Sequence, residues 1–251
     1  MTKPWPYPRL VAHRGGGKLA PENTLAAIRL GQSLGYRMHE FDVKLSKDGV
    51  AMLLHDATLE RTTSGQGSAS DFTWAELSKL DAGAWYSEAF RGERLATFED
   101  AARLLRSKAT LANVEIKPSP GFEAITGDKV AREAERLWRG ADVPPILSSF
   151  SFEALMAAKK AAPALPRAWL TKEFSAEDWA RLEALGAASL NTDHRKLAAL
   201  DLPRLHDRGY RVMLYTVNEA DAAVQLFAAG AEGLFTDNLQ EFAARFPSAL
   251  A

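Results

Sequence analysis

The sequence predicts an α/β protein, a (β/α)8 TIM barrel with a small insertion after its second strand. Three observations lead there. Short apolar segments alternate regularly with amphipathic helical ones, the pattern of a parallel sheet. Eight such units fit into 251 residues, the usual length of one closed barrel, so residues 1–251 read as a single domain. One stretch, residues 56–95, departs from the alternation.

The eight strands are expected at residues 10–13, 38–45, 110–117, 145–150, 167–171, 189–192, 211–217 and 233–237. Ala27, Leu30 and Leu34 recur at helical spacing after the first, and Gly35 suits the helix stop. Residues 50–55 read as a hairpin partner of the second strand. The following 56–95 segment is turn-rich, with one short helix near 74–80, and a loop of that length reads as a lid or substrate wall. Its Trp85, Tyr86 and Phe90 read either as apolar walls for a ligand or as packing within the segment itself. Thr97 with Asp100 begins the next helix.

Bulk composition narrows the partners. A net charge of −1 gives no electrostatic footprint for nucleic acid or an anionic membrane. Cysteine is absent, which removes disulfides, thiolate nucleophiles and Cys-based zinc sites. The first ten residues lack the apolar core of a signal peptide, and no apolar run is long enough to span a bilayer. The expectation is a cytoplasmic enzyme of a small-molecule substrate, without stable membrane association.

The stretch "LVAHRGGGKLAPENT" runs from a strand through three glycines into a helix, as a phosphate-binding loop does. Gly15, Gly17 and Ala20 satisfy a loose dinucleotide fingerprint, with Asp42 about twenty positions on. Pro21 interrupts the join to the helix, however, and His13-Arg14 supplies groups that fingerprint does not use. A P-loop is excluded because Leu19, not Ser or Thr, follows Lys18.

Chemistry concentrates in two strands. Glu40 and Asp42 lie two apart in "HEFDVKL", so both point to one face, ~7 Å apart, opposite His39, Phe41 and Val43. In "NVEIKP", Asn113, Glu115 and Lys117 share a face in the same way. These residues approach the C-terminal strand ends, where barrels place their active sites. Three converging carboxylates repel one another; a hard divalent cation, Ca²⁺ or Mg²⁺, resolves this, and so does an ion network of Glu40, Asp42, Lys44 and Lys117. Donor type alone does not separate the two ions. His13 and His55 end the first strand and the hairpin, placed to act as a base and an acid. His39, His194 and His206 read as structural, although His194, after the sixth strand, has reach toward the mouth.

"HRGGGKLAPENT", "EFDVKLSKDG", "LLHDATLERTTSGQG", "NVEIKP", "LSSF", "YTVN" and "FTDN", in this order, together resemble the glycerophosphodiester phosphodiesterases, especially the cytosolic bacterial branch linked to glycerol-phosphate uptake. The resemblance implies hydrolysis of glycerophosphocholine, glycerophosphoethanolamine and similar diesters to sn-glycerol 3-phosphate and an alcohol, through a cyclic phosphate. It implies His13 and His55 as the acid–base pair and Glu40, Asp42 and Glu115 as ligands of one divalent cation. It implies Arg14 and Lys117 on the phosphate, with Asn23 holding the loop around the substrate. Phe150 and Tyr215 would wall the substrate; Tyr215 stands where relatives often carry Trp. Two alternatives share the fold: a phospholipase D-like enzyme acting on choline lipids, and a metal-dependent sugar isomerase. A catalytically silent barrel would be expected to have lost one of His13, Glu40, Asp42, His55 or Glu115, and all five are present.

Overall fold

The structure, a computed structural model, describes residues 5–250. The strands are β1 (Leu10–Ala12), β2 (Met38–Leu45), β3 (Ala51–Leu53), β4 (Leu111–Ile116), β5 (Ile146–Ser149), β6 (Arg167–Thr171), β7 (Ser189–Asp193), β8 (Arg211–Tyr215) and β9 (Gly233–Thr236). All but β3 are parallel, and β1 pairs with both β9 and β2, which closes an eight-stranded barrel. Each strand lies within two residues of its predicted ends. β3 runs antiparallel to the last three residues of β2, which project beyond the short β1.

Nine helices are described: α1 (Leu25–Ser33), α2 (Trp74–Leu77), α3 (Phe98–Ser107), α4 (Glu123–Leu137), α5 (Phe152–Ala161), α6 (Ala176–Leu185), α7 (Leu202–Asp207), α8 (Ala220–Ala228) and α9 (Leu239–Arg245). Thr24 caps α1 by accepting from the Ala27 amide, and Thr97 caps α3 through the Asp100 amide. The buried face of α1 is Ala27, Ile28 and Gly31; Leu30 is only half-buried.

The barrel interior explains where the polar residues collect. Val11, Met38, Ile146, Ala168, Met213 and Phe235 form an apolar plug, with Tyr7 packed against it. Residues of the other strand parity, such as Phe41, Val43, Val114 and Leu147, pack outward against the helices. β2 is buried along its whole length, so its inward side chains run from Met38 in the plug to Glu40 and Asp42 above it. His39 faces outward and donates from Nδ1 to the Gly15 carbonyl (3.0 Å). Burial lowers its pKa to about 4, so it is a neutral structural residue. His206 lies on α7 against Glu232 (3.3 Å).

The chain leaves the barrel after β3 and returns at Ala96, whose carbonyl accepts from the Leu53 amide (2.9 Å). Between them a satellite core forms from Met52, Leu54, Leu59, Ala69, Leu77, Ala82 and Leu95. α2 stands within it, started by a reciprocal Thr73–Glu76 capping box.

Candidate active site

A cavity of about 510 Å³ opens at the C-terminal end of the barrel. Its wall brings together His13, Arg14, Glu40, Asp42, His55, Asn113, Glu115, Lys117, Phe150 and Tyr215, drawn from five barrel strands or the turns that follow them, plus the β3 hairpin. Ligand atoms of Glu40, Asp42 and Glu115 lie within 4.8 Å of one another.

The glycine turn after β1 shapes one side. Arg14 takes a left-handed backbone (φ 49°), held by its amide donating to Glu40 Oε2 (2.8 Å). Gly17 is required for a different reason: a Cβ there would collide with the Asp237 carbonyl. That close approach brings the end of β9 against the end of β1, and His13 Nδ1 meets Asp237 Oδ1 at 2.7 Å. His55 Nδ1 likewise meets Asp56 Oδ1 at 2.6 Å. Each imidazole therefore has one nitrogen fixed by a carboxylate, leaving Nε2 as its free site.

Their electrostatics differ. Burial works to lower the His13 pKa, but the Asp237 bond and the Glu40 charge reverse this, and the net shift is upward. For His55 burial prevails, with Lys117 and Arg14 adding to it against Asp42, and the net shift is downward.

The carboxylate cluster is short of cations. Lys117 Nζ reaches Glu115 (2.7 Å) and Asp42 (3.5 Å), and Arg14 Nε lies 4.0 Å from Asp42. Lys44 does not complete the ion network the sequence allowed: it donates to the Lys117 backbone carbonyl (2.9 Å). Burial, then repulsion from Asp42, raises Glu40 to about 8 and Glu115 to about 7. Asp42, against burial, is held below its ordinary range by Lys117, His55 and Arg14. Glu40 Oε1 and Asn113 Oδ1 are buried without hydrogen-bond partners among the described residues. Unsatisfied oxygens beside clustered carboxylates fit a hard cation.

Two sequence readings are settled by contacts that the sequence does not show. Asn23 is not on the cavity wall. It lies behind Asp42 (3 % exposed), donating from Nδ2 to Asp42 Oδ2 (2.8 Å) and accepting from the Asp42 amide (3.0 Å), so it positions that carboxylate rather than touching substrate. Trp85, Tyr86 and Phe90 do not line the cavity either. They pack edge-to-face on one another, and the Tyr86 hydroxyl donates to the carbonyl of Lys18 in the turn after β1. His194, read as structural, is absent from the cavity wall.

Sequence reasoning missed Asp56, Asp237, Glu22 and Arg61. Arg61 bonds both Glu22 (2.7 and 2.8 Å) and Asp56 (2.6 Å), while Glu22 accepts from Arg14 (2.8 Å). One network thus runs His55–Asp56–Arg61–Glu22–Arg14 and ties the segment after β3 to the β1 turn. Asp56 and Asp237 stood within the matching motifs; their partners were the missing information.

A sequence profile of the glycerophosphoryl diester phosphodiesterase family matches residues 13–241. The chain belongs to this family. A glycerophosphodiester phosphodiesterase of Caldanaerobacter subterraneus subsp. tengcongensis is 34 % identical over 235 residues, covering 91 % of this chain and 93 % of its own. An Oleispira antarctica phosphodiesterase, solved with its product sn-glycerol-3-phosphate, superimposes with a TM-score of 0.87 at 31 % identity, covering 97 % of each chain. The glycerophosphodiester phosphodiesterase of Agrobacterium tumefaciens superimposes with a TM-score of 0.78 at 26 % identity, covering 94 % of this chain and 99 % of its own. Family membership makes the chain a phosphodiesterase, and no helix among the described residues is long and apolar enough to cross a membrane.

Proposed function

We propose that this phosphodiesterase cleaves glycerophosphodiesters to sn-glycerol 3-phosphate and an alcohol by acid–base catalysis between His13 and His55. One arrangement carries this reading: two imidazoles, each oriented by its own aspartate, on the wall of a cavity that also holds Arg14, Lys117 and three buried carboxylates. Glu40, Asp42 and Glu115 would hold one divalent cation, Ca²⁺ or Mg²⁺. When bound, it supplies positive charge against the phosphate oxygens and favours ionisation of the attacking hydroxyl.

Arg14 and Lys117, both on the cavity wall, offset the charge on the phosphate oxygens. The glycerol 2-hydroxyl attacks phosphorus, and one imidazole takes its proton. The other gives a proton to the leaving alcohol as the P–O bond breaks. Water then opens the cyclic phosphate, with the proton traffic reversed. The upward shift of His13 suits it to hold the proton to be donated, and the downward shift of His55 suits it to accept one. We assign the protein to the cytoplasm, a reducing compartment in keeping with a sequence without cysteine.

The test is release of sn-glycerol 3-phosphate from glycerophosphocholine, glycerophosphoethanolamine and glycerophosphoglycerol by EDTA-treated protein, before and after Ca²⁺ or Mg²⁺ is restored. Activity that disappears on chelation and returns with one ion supports the proposal. No release from any diester with either ion refutes it.

A further inference from the structure

We infer that Lys172 makes this site selective for glycerophosphodiesters whose alcohol carries a negative charge. The inference rests on the glycerophosphodiester reading of the same cavity and names its preferred substrate class.

The other charged side chains on the cavity wall have partners. His13 has Asp237, Arg14 has Glu22, His55 has Asp56, and Lys117 bridges Glu115 and Asp42. Lys172 also lines the cavity, is exposed, and has no hydrogen bond or ion pair among the described residues. The acids nearest to it in sequence or register are already committed. Glu173 pairs with Lys196 (3.3 Å), and Asp193, at the end of the adjoining β7, is held by Arg195 (2.5 Å). An ammonium facing a ligand cavity without a counter-ion is a binding group for an anion.

Its backbone is fixed. The Tyr215 hydroxyl donates to the carbonyl of Thr171, the residue before Lys172 (2.8 Å). Tyr215 also meets Phe150 edge-to-face (5.9 Å between ring centres), and Lys117 Nζ lies 5.5 Å from the Phe150 ring centre. This outer wall is therefore aromatic, but two ammonium groups accompany it. A quaternary ammonium drawn to the rings meets like charge, whereas a carboxylate or phosphate meets opposite charge.

Glycerophosphoserine and glycerophosphoethanolamine differ by one carboxylate, so the ratio of their kcat/KM values isolates the effect and cancels any loss common to both. The wild-type protein is expected to favour the serine diester about fivefold, the upper range for a solvent-exposed pair. Lys172→Met brings the ratio to about one, Lys172→Arg retains it, and raised salt diminishes it in the wild type. A wild-type ratio near one, or a preference undiminished in Lys172→Met, overturns the inference while leaving the diesterase reading intact. Absence of turnover with these diesters and with glycerophosphoglycerol overturns both.

Discussion

Asn23→Ala is the substitution whose cost follows most directly from the structure. Asn23 has a left-handed backbone (φ 59°), is nearly fully buried, and makes two hydrogen bonds to Asp42. The bond from its Nδ2 to the carboxylate is charge-assisted and contributes about 1.5–3 kcal/mol. The Asp42 amide, buried in β2, loses its acceptor, which costs about 1 kcal/mol or more. Alanine tolerates the left-handed region less well than asparagine, adding roughly 1 kcal/mol. Together these give about 4 kcal/mol, or a fall in Tm of roughly 10 °C for a chain of this size. Thermal unfolding followed by circular dichroism in EDTA measures this without any cation. Asn23→Gly separates the contributions: it loses both hydrogen bonds but relaxes the backbone, so it should be less damaging than alanine by about 1 kcal/mol. Calorimetric titration of the folded variants with Ca²⁺ or Mg²⁺ should show affinity weakened about 10–100-fold, the usual effect of removing a partner that orients a ligand. A loss of stability under about 1 kcal/mol together with unchanged cation affinity would refute the role given to Asn23.

Other outcomes are expected. His13→Ala and His55→Ala should each lower kcat on glycerophosphoglycerol about 10²–10⁴-fold with the fold retained, as for other acid–base groups; a variant with near-normal turnover removes that residue from the mechanism. Arg61 is part-exposed, so Arg61→Ala should cost about 1 kcal/mol or less in urea unfolding, yet lower kcat by loosening both the Asp56–His55 and Glu22–Arg14 pairs. Equal kcat in that variant would show that the network does not position the site. In EDTA, the protein should lose stability as pH rises from about 5 to about 8. Glu40 and Glu115, raised to about 8 and about 7, bind protons more tightly folded than unfolded, and that advantage vanishes as they ionise. Asp42, lowered, works oppositely and loses its contribution only in acid. Thermal melts across that range, with and without a divalent cation, measure it; a flat profile in EDTA would contradict the buried-carboxylate electrostatics.

Several features were decided by the sequence alone because they depend on local periodicity. The period-two pattern of β2 and β4 put Glu40, Asp42, Asn113 and Glu115 on inward faces while Phe41, Val43 and Val114 met the helices. The alternation of strand and helix signals placed His13 and His55 at strand ends, and the ordered motifs pointed to the family. Tertiary structure alone decided which distant groups serve those residues. Asp237 lies 224 positions from His13 and reaches it only because β1 and β9 pair to close the barrel. Arg61 reaches Glu22 because the segment after β3 folds back on the β1 turn, and of the two readings open for Trp85, Tyr86 and Phe90 the structure shows packing on one another. Asn23 reads as a loop residue near substrate until β2 is seen beside it, with Asp42 taking both its hydrogen bonds. Lys172 carries no sequence signal, since a lysine after a strand is ordinary; its meaning arises because its neighbours' charges are already paired. Periodicity is written residue by residue, whereas the pairing of charges depends on ring closure across the whole chain.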